Sequence, residues 1–293
     1  FISRNFKQAD YVERQSGLCE LALHNFPLLG LGHIRIHNRD GVSYLQEMLP
    51  VDCLFLDPAR RDGHGGKTVA ISDCEPDVTV LEPLLVDKAK KVMVKLSPML
   101  DLSLALNELK TVRAVHIVAV NNECKELLLI LQKESVSSEV SIHCEHIAGN
   151  GESRHYTFTL KQEKTSPCLL ADEVGTYLYE PNAAILKAGA FRSLTQTYPV
   201  AKLHLNSHLY TSVSLVPDFP GRRFRVEAVS GFGKKELKAF LMDMDKANIT
   251  IRNFPLSVAE LRKRLKLKEG GDDYIFATTL SGGQKVLIRG KKC

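Results

Sequence analysis

The sequence predicts an α/β fold: a mostly parallel sheet with helices on both faces, followed by two small α+β domains. Three observations predict it. Through residue 165, short apolar runs alternate with amphipathic stretches. The run Val51-Asp52-Cys53-Leu54-Phe55-Leu56 stops at a polar loop that opens on Asp57-Pro58, as a buried strand of such a sheet would. A polar, turn-rich stretch at 161–167 closes the first domain, and shorter mixed elements follow.

Asp10-Tyr11-Val12-Glu13 ends a first buried strand. Apolar residues at helical spacing from Leu18 to Phe26 are stopped by Pro27 and Gly30. Ile34-Arg35-Ile36-His37 alternates as a strand that ends at Asn38-Arg39-Asp40-Gly41, and 42–48 is a short helix. After the strand that ends at Leu56 come a Gly-rich loop, a helix at 81–91 and a strand at 91–96. A helix at 102–109 and a strand at 114–120 follow, then a helix at 125–132 and strands at 140–144 and 156–160. The second domain, 166–221, opens with a helix at 177–194 started by Pro181. In the third, 222–293, strands at 224–229 and 248–252 flank a helix at 234–245. A helix at 257–265 carries a capping box, Ser257 with Glu260 three residues on. Two final strands join through Ser281-Gly282-Gly283.

At 293 residues, 44% hydrophobic and 25% charged, the chain can bury two or three cores and has no disordered bias. It has no apolar run long enough to span a membrane, and its first residues, Phe1-Ile2-Ser3-Arg4, do not form a secretory leader. Seven scattered cysteines without a CxxC pair suit a reducing cytoplasm and offer no zinc site. The net charge of +5 is uneven: residues 222–293 hold 17 Lys and Arg against 8 Asp and Glu, the rest 22 against 26. A basic tail on an acidic body suggests an anionic partner, nucleic acid first.

In open α/β sheets, ligands bind beyond the carboxyl ends of the strands. Glu13, Asp40 and Asp57 occupy three such ends. A carboxylate after one strand can accept from both ribose hydroxyls of an adenosine, and one after the next strand from the adenine amino group. An Asp stiffened by Pro58 can accept from a reacting group. The glycine-rich turn that would let a backbone approach the ligand does not precede Asp10. The expectation is that the order starts at the second strand of the sheet, with an N-terminal segment missing.

The stretches Tyr11-Val12-Glu13, Asn25-Phe26 and Phe55-Leu56-Asp57-Pro58-Ala59-Arg60-Arg61 resemble a family of bacterial class I S-adenosylmethionine-dependent methyltransferases. Tyr179-Glu180-Pro181-Asn182, Asn206-Ser207-His208-Leu209-Tyr210 and Asn248-Ile249-Thr250-Ile251-Arg252-Asn253-Phe254-Pro255 are similar to that family's ferredoxin-like and THUMP-like domains. The resemblance implies a Rossmann-type methyltransferase sheet, N-terminally truncated, followed by the two small domains. It implies S-adenosylmethionine as cofactor, with Glu13 on the ribose, Asp40 and Gly41 at the adenine, and Asp57-Pro58 in the catalytic loop, where Asp57 also meets the cofactor. RNA, tRNA or rRNA, is the implied substrate. One departure stands out: enzymes that methylate base amines commonly place an aromatic in this loop to stack on a flipped base, and here Ala59-Arg60 stands instead. Arg60 and Arg61 then contact a phosphate, stack, or pair with Asp62.

In the tail, Arg252, Asn253 and Phe254, with Arg262, Lys263 and Arg264, offer phosphate contacts beside an aromatic, a means of binding RNA by shape. The leading expectation is an RNA methyltransferase. A second is an RNA-binding protein on a degenerate methyltransferase scaffold, motivated by the altered loop. A third is a nucleotide-dependent oxidoreductase. Without the glycine-rich turn, the sequence as it stands is expected to fold but to bind S-adenosylmethionine poorly and to be inactive.

Overall fold

The computed structural model describes residues 2–60, 70–133 and 139–293. It divides into two compact units, 1–113 with 128–137 and 114–127 with 138–293. The chain runs β1 (Ala9–Glu13), α1 (Ser16–Leu28), β2 (Ile34–Asn38), α2 (Gly41–Glu47), β3 (Val51–Leu56), β4 (Ala59–Arg60), β5 (Cys74–Glu75), α3 (Val78–Lys88), β6 (Ala89–Leu96) and α4 (Leu102–Glu108). It continues through β7 (Val112–Val120), β8 (Glu123–Leu131), β9 (Ser141–Ile147), β10 (Ser153–Thr159) and α5 (Leu160–Thr165). The tail holds β11 (Tyr177–Pro181), α6 (Ala183–Ala188), α7 (Leu194–Thr197), β12 (Ala201–Lys202), β13 (Tyr210–Ser212) and β14 (Gly221–Ser230). It ends with α8 (Lys234–Phe240), β15 (Asn248–Arg252), α9 (Val258–Leu265), β16 (Asp273–Thr279) and β17 (Lys285–Lys292).

The expected α/β architecture is present. β1 pairs with β2 in parallel, placing Glu13 opposite Asn38, and β3 pairs with β6 in parallel. A six-stranded sheet has the order β10-β9-β7-β8-β6-β3, and a seven-stranded sheet in the tail has the order β12-β13-β11-β14-β17-β16-β15. Side chains start the helices where the sequence supplies short acceptors. Asp40 accepts from the Ser43 N–H, Asp77 from Thr79, Asp101 from Leu104, Asn182 from Ile185 and Ser257 from Glu260. In the tail sheet the pleat sorts neighbours to opposite faces. Ile275 and Ala277 join the cluster around Leu261 and Leu265, while Phe276 between them packs with Leu178 and Phe224.

Two sequence expectations fail. The segment 125–132 is not a helix but most of β8, joined to β7 by Asn121 and Asn122 at φ 51° and 63°. Two successive left-handed residues make the tight turn that reverses one strand directly onto its neighbour. Nor is 177–194 one helix. Tyr177–Pro181 is strand β11, buried from Leu178 onward, and the helix that follows starts after Asn182 and stops at Gly189, φ 73°. Pro181 ends a strand here instead of opening a helix. Smaller differences are that α8 stops at Phe240, and that a short helix, α5, occupies the supposed linker.

Candidate active site and basic face

The acidic residues expected at strand ends all fall in the first unit. Glu13 closes β1, and the Gln15 N–H donates to its Oε1 at 2.8 Å, which steadies the carboxylate. Asp40 is the N-cap of α2: its Oδ1 accepts from the Ser43 N–H at 2.8 Å and from the Ser43 hydroxyl at 2.9 Å. Those bonds, the backbone one first, hold its carboxyl below the usual carboxylate range. A Cβ added at Gly41 would meet nothing within 4 Å, so the start of α2 is open on that side.

Asp57 follows β3, with Pro58 buried behind it. The Asp57 carboxylate pairs with Lys95 Nζ at 2.9 Å, and Lys95 stands next to the last residue of β6. The parallel register, Leu56 opposite Val94, carries Asp57 to that position. The loop then forms β4, whose Ala59 pairs with Glu75 of β5. Glu75 in turn accepts from Arg14, directly after Glu13, at 3.1 Å. A short chain of contacts therefore links Arg14, the residue after Glu13, to the loop that follows Asp57-Pro58. Of Arg60 the backbone is described, paired with Cys74; Arg61 lies outside the described residues.

In the tail, the cations singled out from sequence divide. Arg252 is engaged internally. Its Nη2 donates to Oε1 of Glu180 at 2.8 Å, while Arg222 Nε donates to Oε2 at 2.8 Å, and Glu180 is almost wholly buried. Asn253, at φ 53°, contacts His204 Nδ1 at 3.0 Å, and its carbonyl accepts from the Thr279 hydroxyl. Phe254 is half-buried and stacks on Phe232, with ring centroids 5.2 Å apart. Arg262 Nη1 donates to the Ala247 carbonyl at 3.1 Å. Lys263 and Arg264 are exposed at the last turn of α9, and Arg264 lies over the Phe232 ring, 5.3 Å from its centroid.

Sequence reasoning missed Lys95, Arg14 and Glu75 around the loop, and Glu180 and Phe232 in the tail. Only Lys95 carried a usable signal, since a parallel pairing of the two strands would have set it against Asp57. The others depend on partners far along the chain.

Residues 177–220 match the family described as a ferredoxin-like domain, and residues 221–292 the family described as THUMP domain-like. The crystal structure of a "putative methyltransferase" from Porphyromonas gingivalis W83 is similar to this chain, with a TM-score of 0.86 and 36% sequence identity. The likeness covers 98% of this chain and 72% of that one. No curated protein matches.

Proposed function

The chain belongs to the methyltransferase family that ends in ferredoxin-like and THUMP-like domains, and on that premise we propose that it methylates RNA, tRNA or rRNA, from S-adenosylmethionine. The reading is supported above all by the contacts that run from Arg14, next to Glu13, through Glu75 to Ala59, in the loop after Asp57-Pro58.

The donor set suits the cofactor. Glu13 has one oxygen fixed by the Gln15 N–H, leaving the other to accept from a ribose diol. Asp40 keeps one oxygen outside its capping contacts, toward an adenine amino group, beside the open space at Gly41. When bound, the cofactor supplies an electrophilic methyl group on a sulfonium. Asp57 accepts a hydrogen bond from the acceptor atom and aligns its lone pair, and orientation of this kind supplies much of the rate in such transfers. Lys95 keeps the Asp57 carboxylate placed for that bond, and buried Pro58 limits the movement of the loop. The basic tail, with Lys263 and Arg264, holds the RNA.

In the full-length protein, Asp57→Ala lowers methyl incorporation into RNA at least ~100-fold while cofactor binding by calorimetry stays within a few-fold. Unchanged turnover overturns the role of Asp57. Cofactor binding with no incorporation into any RNA, by the unsubstituted protein, supports the scaffold reading instead.

A further inference from the structure

Phe232 sits in the tight Gly231-Phe232-Gly233 loop between β14 and α8. A Cβ at Gly231 would come within 2.6 Å of Glu236 Oε2, so the loop folds closely over the start of α8. The Phe232 ring is half-buried against the Leu261 and Leu265 cluster, with Phe254 stacked on it at 28°. Arg264, exposed on α9, lies over this ring. A guanidinium backed by an aromatic ring has lost much of its rotamer freedom and turns a flat cationic surface to solvent.

The neighbouring charges are unbalanced for a local reason. The carboxylates of the two helices are used at their own N-termini: Glu236 accepts from the Gly233 N–H at 3.3 Å, and Glu260 from the Ser257 N–H and hydroxyl at 2.7 and 2.6 Å. Lys234, Lys235 and Lys238 of α8 and Lys263 of α9 are exposed, and none is in an ion pair among the described residues. A planar cation backed by a ring, with exposed lysines on the same helix and on the helix after Phe232, fits a nucleotide better than it fits a carboxylate ligand, because a base offers a face to stack and its flanking phosphates take the lysines.

We propose that Arg264, backed by Phe232, is a stacking platform for an unpaired nucleobase, so that the tail selects single-stranded over duplex RNA. This rests on the RNA reading above. Lys234, Lys235 and Lys263 take the adjacent phosphates. Arg264 is the residue that distinguishes base stacking from mere charge, since lysine keeps the charge and loses the plane.

The test measures binding of the full-length protein to a fluorescently labelled single-stranded RNA and to a duplex of the same sequence, across a salt series. Arg264→Lys weakens single-strand binding roughly tenfold, the weight of one stacked base, and leaves duplex binding and the salt slope unchanged. Phe232→Leu does the same while keeping the thermal midpoint close to that of the unsubstituted protein; if it unfolds, Arg264→Lys alone decides. Arg264→Lys that binds the single strand like the unsubstituted protein overturns the platform, as does an equal loss on strand and duplex. An unsubstituted protein that binds neither RNA defeats the RNA reading itself, a different failure.

Discussion

At His208 the backbone lies at φ 53° and the ring stacks on Phe191 with centroids 3.7 Å apart. Its buried Nδ1 has no hydrogen-bond partner among the described residues. Burial first, then Lys202 and Arg252 nearby, push its pKa down to about 4. The sign of the consequence is fixed: the unfolded chain takes up a proton at the ordinary value of 6.5, and the folded one refuses it until about 4. The stabilisation is therefore complete above the unfolded value and is lost as pH falls through that window. Urea midpoints of the second unit drop as pH falls from 6.5 to about 4. His208→Asn, which tolerates the left-handed backbone, flattens that dependence. An unchanged slope in the variant would remove His208 as its source. The neighbouring Arg252 shows where residue-level reading stops. Its charge and its place beside Asn253-Phe254 were legible, but the buried Glu180 that holds it lies 72 positions away. No local pattern announces such a partner.

Elements were legible where their causes are local. Ser257 and Glu260 announce α9 because the capping box is closed within four residues, and its bonds are all present. Asp40 before 42–48 is the same case: the side chain that begins α2 stands next to it. The hairpin of β7 and β8 is the opposite case. Lys125-Glu126-Leu127-Leu128-Leu129-Ile130-Leu131 has good helix formers throughout, yet β8 lies between two other strands of its sheet, and pairing on both edges overrides propensity. The deciding signal was the Asn121-Asn122 pair, two residues suited to positive φ, which specifies a reversal. The turn gives a direct prediction. Asn121→Ala destabilises by about 1 kcal/mol, because alanine must be held in the left-handed region, whereas Asn121→Gly is nearly neutral. Denaturant midpoints of the two variants separate them. Equal losses would mean that the amide contacts of Asn121 matter more than its backbone.

At the scale of the molecule, the alternation of runs and stretches was enough to give the α/β class, because a sheet covered by helices imposes that rhythm on the chain. Composition added the division of labour, an acidic body and a basic tail. Sequence could not show how many of the tail's cations remain free, since that depends on which carboxylates are consumed by caps and buried pairs. The structure sorts them: Arg222 and Arg252 are held by Glu180, while Lys235, Lys238 and Lys263 stay exposed and outside ion pairs among the described residues. If the tail only holds RNA, removing these lysines takes away binding that ground state and transition state share. The triple substitution Lys235→Ala, Lys238→Ala and Lys263→Ala in the full-length protein then raises KM for RNA and leaves kcat unchanged. The logarithmic salt slope of RNA binding falls by about 1 for each phosphate that no longer meets a lysine. A drop in kcat at saturating RNA would instead place these lysines in the chemical step, and an unchanged slope would take them off the RNA altogether.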